Sequence, residues 1–67
     1  MATARELIGF LKRNGFIEKR QSGSHLVLKH PRTGRRTVVP VRAGDLPKGL
    51  LHRILKVAGF SLDEFME

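Results

Sequence analysis

Sixty-seven residues without a cysteine are expected to form one small two-layer domain spanning residues 1–67, with neither disulfides nor thiolate-held metal to support it. Thirteen Lys and Arg against six Asp and Glu give a net charge of +7, and three of those acids (Asp63, Glu64 and Glu67) crowd the last five residues, so a polyanionic partner is indicated. No apolar run approaches the roughly 18 residues of a membrane span, and the N-terminus lacks the apolar core of a signal peptide, so a soluble, cytoplasmic protein with no membrane partner is expected.

The first predicted element is a helix. Thr3 and Glu6 have the spacing of a capping box, Ala4, Leu7, Ile8 and Leu11 recur at helical period, and Asn14-Gly15 is a stop signal. Arg5, Lys12 and Arg13 then lie largely off the apolar stripe. Phe16 to Gln21 reads as a strand and Ser22-Gly23-Ser24 as a short turn. From His25 onward the pattern alternates, with His25, Val27 and Lys29 on one face and Leu26, Leu28 and His30 on the other. The two leucines mark the second set as the core face.

Pro31-Arg32-Thr33-Gly34 carries turn chemistry, and Arg35 to Val41 reads as a third strand hairpinned to the second. Pro40, which donates no backbone hydrogen bond, is expected at an edge or at the end of the ladder. Pro47 fits the first turn of a second helix whose apolar stripe is Leu50, Leu51, Ile54, Leu55 and Ala58, with Gly59 as its C-cap. Lys48, His52, Arg53 and Lys56 fall outside that stripe. Ser61 and Glu64 repeat the capping-box spacing, so a last short helical turn is expected to dock Leu62 and Phe65. The fold class is therefore α+β in the order α-β-β-β-α, a three-stranded antiparallel sheet with both helices on one face and the other face open.

On that open face His25 is the residue of most chemical interest. It follows a glycine turn at the start of an alternating run, and imidazole alone among side chains changes charge near neutral pH without help from its surroundings. A histidine so placed can take the proton of an RNA 2′-hydroxyl, so that the oxygen attacks the adjacent phosphorus while a nearby cation steadies the phosphoryl oxygens. The plainer reading is an inert surface histidine. Lys29, Arg32, Arg35 and Arg36 read as a phosphate-contacting patch, against the alternative of a solvated turn. His30, at the start of the hairpin turn, suits a backbone-capping role, and His52 lies on a solvated helix face. Three histidines without i,i+4 pairing and with few nearby acids form no metal site, and no cofactor is expected.

Taken in order, Gly15-Phe16, Gln21 with Gly23-Ser24-His25, Thr37-Val38-Val39-Pro40, and Leu46 with Gly49-Leu50 and Ile54-Leu55-Lys56-Val57-Ala58-Gly59 resemble the HicA family of small toxins along nearly the whole chain. The resemblance implies a double-stranded-RNA-binding-domain-like fold and an endoribonuclease that inactivates mRNA, restrained by a HicB-like antitoxin. It places the catalytic histidine at His25, with Gln21 and Ser24 beside it as further RNA-contact candidates. The chain departs from the family where an aromatic residue often follows Gly-Ser-His, having Leu26-Val27-Leu28, and where a histidine often follows the strand-three proline, having Val41-Arg42. With no Tyr or Trp, and four Phe expected in the core, Arg planes would have to supply any base stacking. Two other classes remain open on the residues alone: a non-catalytic RNA-binding module on the same basic surface, and a domain whose cations meet an acidic protein.

Overall fold

A computed structural model describes residues 2–41 and 44–67; Arg42, one of the two residues at the second departure from the family, lies outside them. The elements are α1 (Ala4–Arg13), β1 (Ile17–Ser22), β2 (His25–Lys29), β3 (Arg36–Pro40), α2 (Lys48–Ala58) and α3 (Leu62–Met66). The strands form one antiparallel sheet in the order β1-β2-β3. The Cα trace measures 29 × 29 × 17 Å, the thickness of two layers, so one face of the sheet packs on helices and the other is bare.

Both expected capping boxes form. At α1 the Thr3 hydroxyl accepts from the Glu6 N–H at 3.2 Å, and the Thr3 N–H donates to the Glu6 carboxylate at 2.8 Å. Ser61 and Glu64 repeat the exchange at α3, at 3.1 and 2.8 Å. Each box satisfies donors that a helix start leaves orphaned, which stabilises by about 0.5–2 kcal/mol. α2 ends on Gly59 in the left-handed region at φ 94°, as its cap position requires. Pro47 stands just before that helix rather than within it, at φ −57° and ψ 143°, and extended ψ is the conformation of a cap rather than of a first turn.

Strand limits differ from expectation at both outer strands. Phe16 is not part of β1 but is 2 % exposed in the core, where it joins the helix stop to the strand. The first hairpin has a two-residue turn, Gly23-Ser24, because Ser22 pairs with His25. Gly23 has φ 59° and no described non-glycine residue has positive φ, the pattern of a type II′ turn, whose first central position favours glycine. β3 begins at Arg36, not Arg35, and pairing outlasts it: the Val41 N–H donates to the Ser24 carbonyl at 2.6 Å.

Leu7 and Leu11 of α1, Leu26 and Leu28 of β2, Val39 of β3, and Leu51, Ile54, Leu55 and Ala58 of α2 make the centre of the core. Phe10 extends it, meeting Phe60 and Phe65 edge-on with ring centroids 5.1 and 5.2 Å apart, so α3 closes the far side. Thr37, the one buried polar side chain among the described residues, directs its hydroxyl at the Ile54 carbonyl, 3.5 Å away. A domain this small has little stability in reserve. Leu28→Ala, at a position with no exposed surface, is therefore expected to cost about 2–5 kcal/mol and to lower Tm by about 10 °C or more in a circular-dichroism melt. An unchanged melt would show that Leu28 is not central to the packing.

Candidate functional site

Register defines the bare face. His25 pairs with Ser22 and Pro40, Val27 with Arg20 and Val38, and Lys29 with Ile17 and Arg36, so three rows of cross-strand neighbours run over the sheet on the side away from Leu26 and Leu28. None of these residues is acidic. His25 stands exposed at one end, Lys29 and Arg36 occupy the other end, and an aliphatic strip of Ile17, Val27 and Val38 runs over the sheet, with Ile17 47 % and Val38 42 % exposed. No phenylalanine contributes, because all four pack in or against the core, as the sequence led one to expect.

A β-bulge between Glu18 and Arg20 decides which β1 side chains share this face. Counted back from the turn, Gln21 stands opposite Leu26 and Arg20 opposite Val27; Lys19 then has no partner across the ladder, and this extra residue puts Glu18 opposite Leu28 and Ile17 opposite Lys29. Glu18, opposite Leu28, consequently looks toward the helices, where its carboxylate meets the Lys12 ammonium at 2.9 Å. That pair is half exposed and worth no more than about 1 kcal/mol, but it is the single salt bridge among the described residues. Glu6 and Glu64 cap helices, so the cations of the bare face meet no carboxylate among the described residues.

The RNA-contact candidates separate into groups. Lys29 and Arg36 share the His25 face. Ser24 is in the turn beside His25, where its carbonyl accepts from Val41. Gln21 is on the helix side of β1, with its amide donating to the Gly23 carbonyl at 3.1 Å, so it braces the turn and does not stand next to the imidazole. Arg32 sits in the β2–β3 loop at the end of the sheet away from His25, beside a depression lined by Arg13, Asn14, Gly15 and His30. Arg35, just outside β3, reaches across to α2: its Nη1 donates to the Val57 carbonyl at 3.2 Å, and its side chain crosses so close to Gly59 that a Cβ there would lie 3.0 Å from Nε. A cation over orphaned carbonyls at a helix C-terminus is favourable, and this one ties β3 to α2.

His30 has a structural task. Its Nδ1 accepts from the Arg32 and Thr33 N–H groups at 3.2 and 3.3 Å, which leaves the proton on Nε2 to donate to the Asn14 carbonyl at 3.1 Å. Its ring also stands edge-on to Phe16 at 5.2 Å. Gly15, at φ 99°, lets the imidazole approach, since a Cβ at that position would lie 2.5 Å from Nε2. His52 is exposed on α2 in the other layer. His25, by contrast, has no side-chain hydrogen bond to any described residue.

Sequence reasoning missed Arg20 and the aliphatic strip. Simple alternation along β1 has no means of revealing an inserted residue, and every residue of that strand is exposed, so no burial rhythm marks its faces.

What these features define is a small basic α+β protein with helices on one side of its sheet and a single histidine on the bare side. The chain belongs to the HicA toxin family: the model of the family described as "HicA toxin of bacterial toxin-antitoxin" matches residues 4–60, taking in α1, the whole sheet and α2 and leaving α3 outside. Membership carries the toxin role and pairing with an antitoxin. No curated protein matches the chain. No helix of the described residues is long and apolar enough to cross a membrane.

Proposed function

We propose that this toxin is a metal-independent endoribonuclease of the cytoplasm that cleaves mRNA, with His25 as its catalytic residue. The observation that carries the reading is the imidazole itself: it is exposed, free of side-chain hydrogen bonds to the described residues, and set on a face that bears cations and no acid. The imidazole takes the proton of a 2′-hydroxyl, the 2′-oxygen bonds to the adjacent phosphorus, and the bond from phosphorus to the 5′-oxygen breaks. The departing oxygen takes a proton from the imidazolium or from water. Products are a 2′,3′-cyclic phosphate and a 5′-hydroxyl, and no oxidant or cofactor enters the balance. One general acid–base group contributes about 10² to 10⁴-fold, which suits a toxin with an abundant substrate.

Lys29 and Arg36 hold the RNA backbone on the same face, and Arg32 and Ser24 extend the contact to the two ends of the β2 strand. Of the candidates, Gln21 and Arg35 act indirectly, by bracing the turn and by joining β3 to α2. A HicB-like antitoxin with an acidic surface silences the toxin by covering the bare face, where its charge speeds encounter.

Purified protein incubated with end-labelled mRNA in the presence of a chelator is expected to release fragments ending in cyclic phosphate. RNA that is bound but stays intact would instead identify a non-catalytic RNA-binding module. Lys29→Gln and Arg36→Gln are each expected to reduce the slope of log affinity against log salt by about one, read by titrating an uncleavable RNA. An unchanged slope would remove that residue from the interface.

A further inference from the structure

Among the described cations, Arg20 lies closest to His25 along the ladder, set there by the regular register that runs back from the first hairpin turn. Arg20 lies two positions from Ser22, the cross-strand partner of His25, and on the same face. Such diagonal neighbours in an antiparallel sheet stand about 7–8 Å apart, a gap that a long side chain spans. Lys29 is four residues along β2, about 13 Å away at the usual strand rise, and Arg36 pairs with Lys29. Arg32 is beyond that in the loop, and Arg35 is engaged on α2. No hydrogen bond or salt bridge among the described residues occupies the Arg20 guanidinium, whereas Lys12 on the other face is paired. Opposite Arg20 stands Val27, which offers an aliphatic wall and no competing acceptor.

We propose that Arg20 is the cation that holds the scissile phosphate for His25; this rests on the assignment of His25 as the catalytic residue. As the 2′-oxygen attacks, negative charge grows on the two non-bridging phosphoryl oxygens. A guanidinium presents two parallel N–H donors to such a pair and keeps its own proton throughout, so its contribution is electrostatic and geometric. Lys29 and Arg36, at the distant end, bind neighbouring phosphates and act on affinity.

Single-turnover cleavage at saturating protein separates these roles, with affinity measured on an RNA carrying a 2′-deoxy residue at the cleavage point. Arg20→Gln is expected to slow the cleavage step by about 10²-fold or more while weakening affinity by no more than about tenfold. Arg20→Lys, which keeps the charge and loses the fork, should recover part of the rate. Arg5→Gln, which removes the same charge from α1, should leave the rate unchanged. Should Arg20→Gln fail to fold, Arg20→Lys decides, and a slowed cleavage step at an unchanged melting temperature upholds the proposal. Wild-type cleavage at saturation by the Arg20 variants, or a loss confined to Arg42→Gln, overturns it. If His25→Ala is inactive in that same experiment, the catalytic assignment stands without Arg20; if His25→Ala also cleaves normally, both fall.

Discussion

His25→Ala is expected to slow RNA cleavage by about 10³-fold or more and to abolish growth inhibition on expression, with the fold intact. The imidazole is exposed and makes no side-chain hydrogen bond to a described residue, so its removal leaves neither a cavity nor an orphaned polar group. A change of about 0.5 kcal/mol or less in unfolding free energy follows from that environment. RNA affinity should persist, because Lys29 and Arg36 are untouched. The decisive comparison is degradation of a labelled mRNA by equal amounts of folded wild-type and variant protein. Equal rates would remove His25 from the chemistry whatever its position on the sheet.

A second expectation of comparable size concerns the substrate. Replacing the single 2′-hydroxyl beside the scissile phosphate by hydrogen should reduce cleavage at that bond to background, because the nucleophile in the proposed route belongs to the RNA. Binding should change little, since the charged phosphates remain and the bare face grips charge. A chelator should have no effect on the unmodified RNA: no three His, Asp or Glu side chains gather among the described residues in a way that could hold a metal ion. Cleavage of the deoxy-substituted RNA at the normal rate would require an external nucleophile and exclude attack by the 2′-oxygen.

Much of the fold was legible because local signals and burial agree. The stripes Ala4, Leu7, Leu11 and Leu51, Ile54, Leu55, Ala58 are buried where helical period placed them, and both capping boxes close. Alternation from His25 to Lys29 assigned the two faces of β2 correctly because one of them is buried. β1 offered no such contrast, with six exposed residues and an insertion that puts Ile17 rather than Glu18 on the open face. Tertiary reach was equally hidden: nothing near Arg35 in sequence announces a hydrogen bond to Val57, twenty-two residues away. The basic loop and His25 looked like one site in the sequence because only four residues separate His25 from His30. In an extended strand that short stretch spans most of the sheet.

The bulge also bears on how the toxin stays apart from other copies of itself. A three-stranded sheet has two free edges, and β1, exposed along its whole length, is a template on which a strand of another molecule could align. An inserted residue interrupts the even spacing of unpaired amides and carbonyls, and the consecutive charges of Glu18, Lys19 and Arg20 oppose stacking of like edges. β1 thus resists intermolecular sheet extension with the same irregularity that turns Ile17 to the bare face and Glu18 to the helices. Variants that neutralise β1 or straighten it therefore carry a second liability, aggregation, to be read by light scattering in the same preparations used for kinetics.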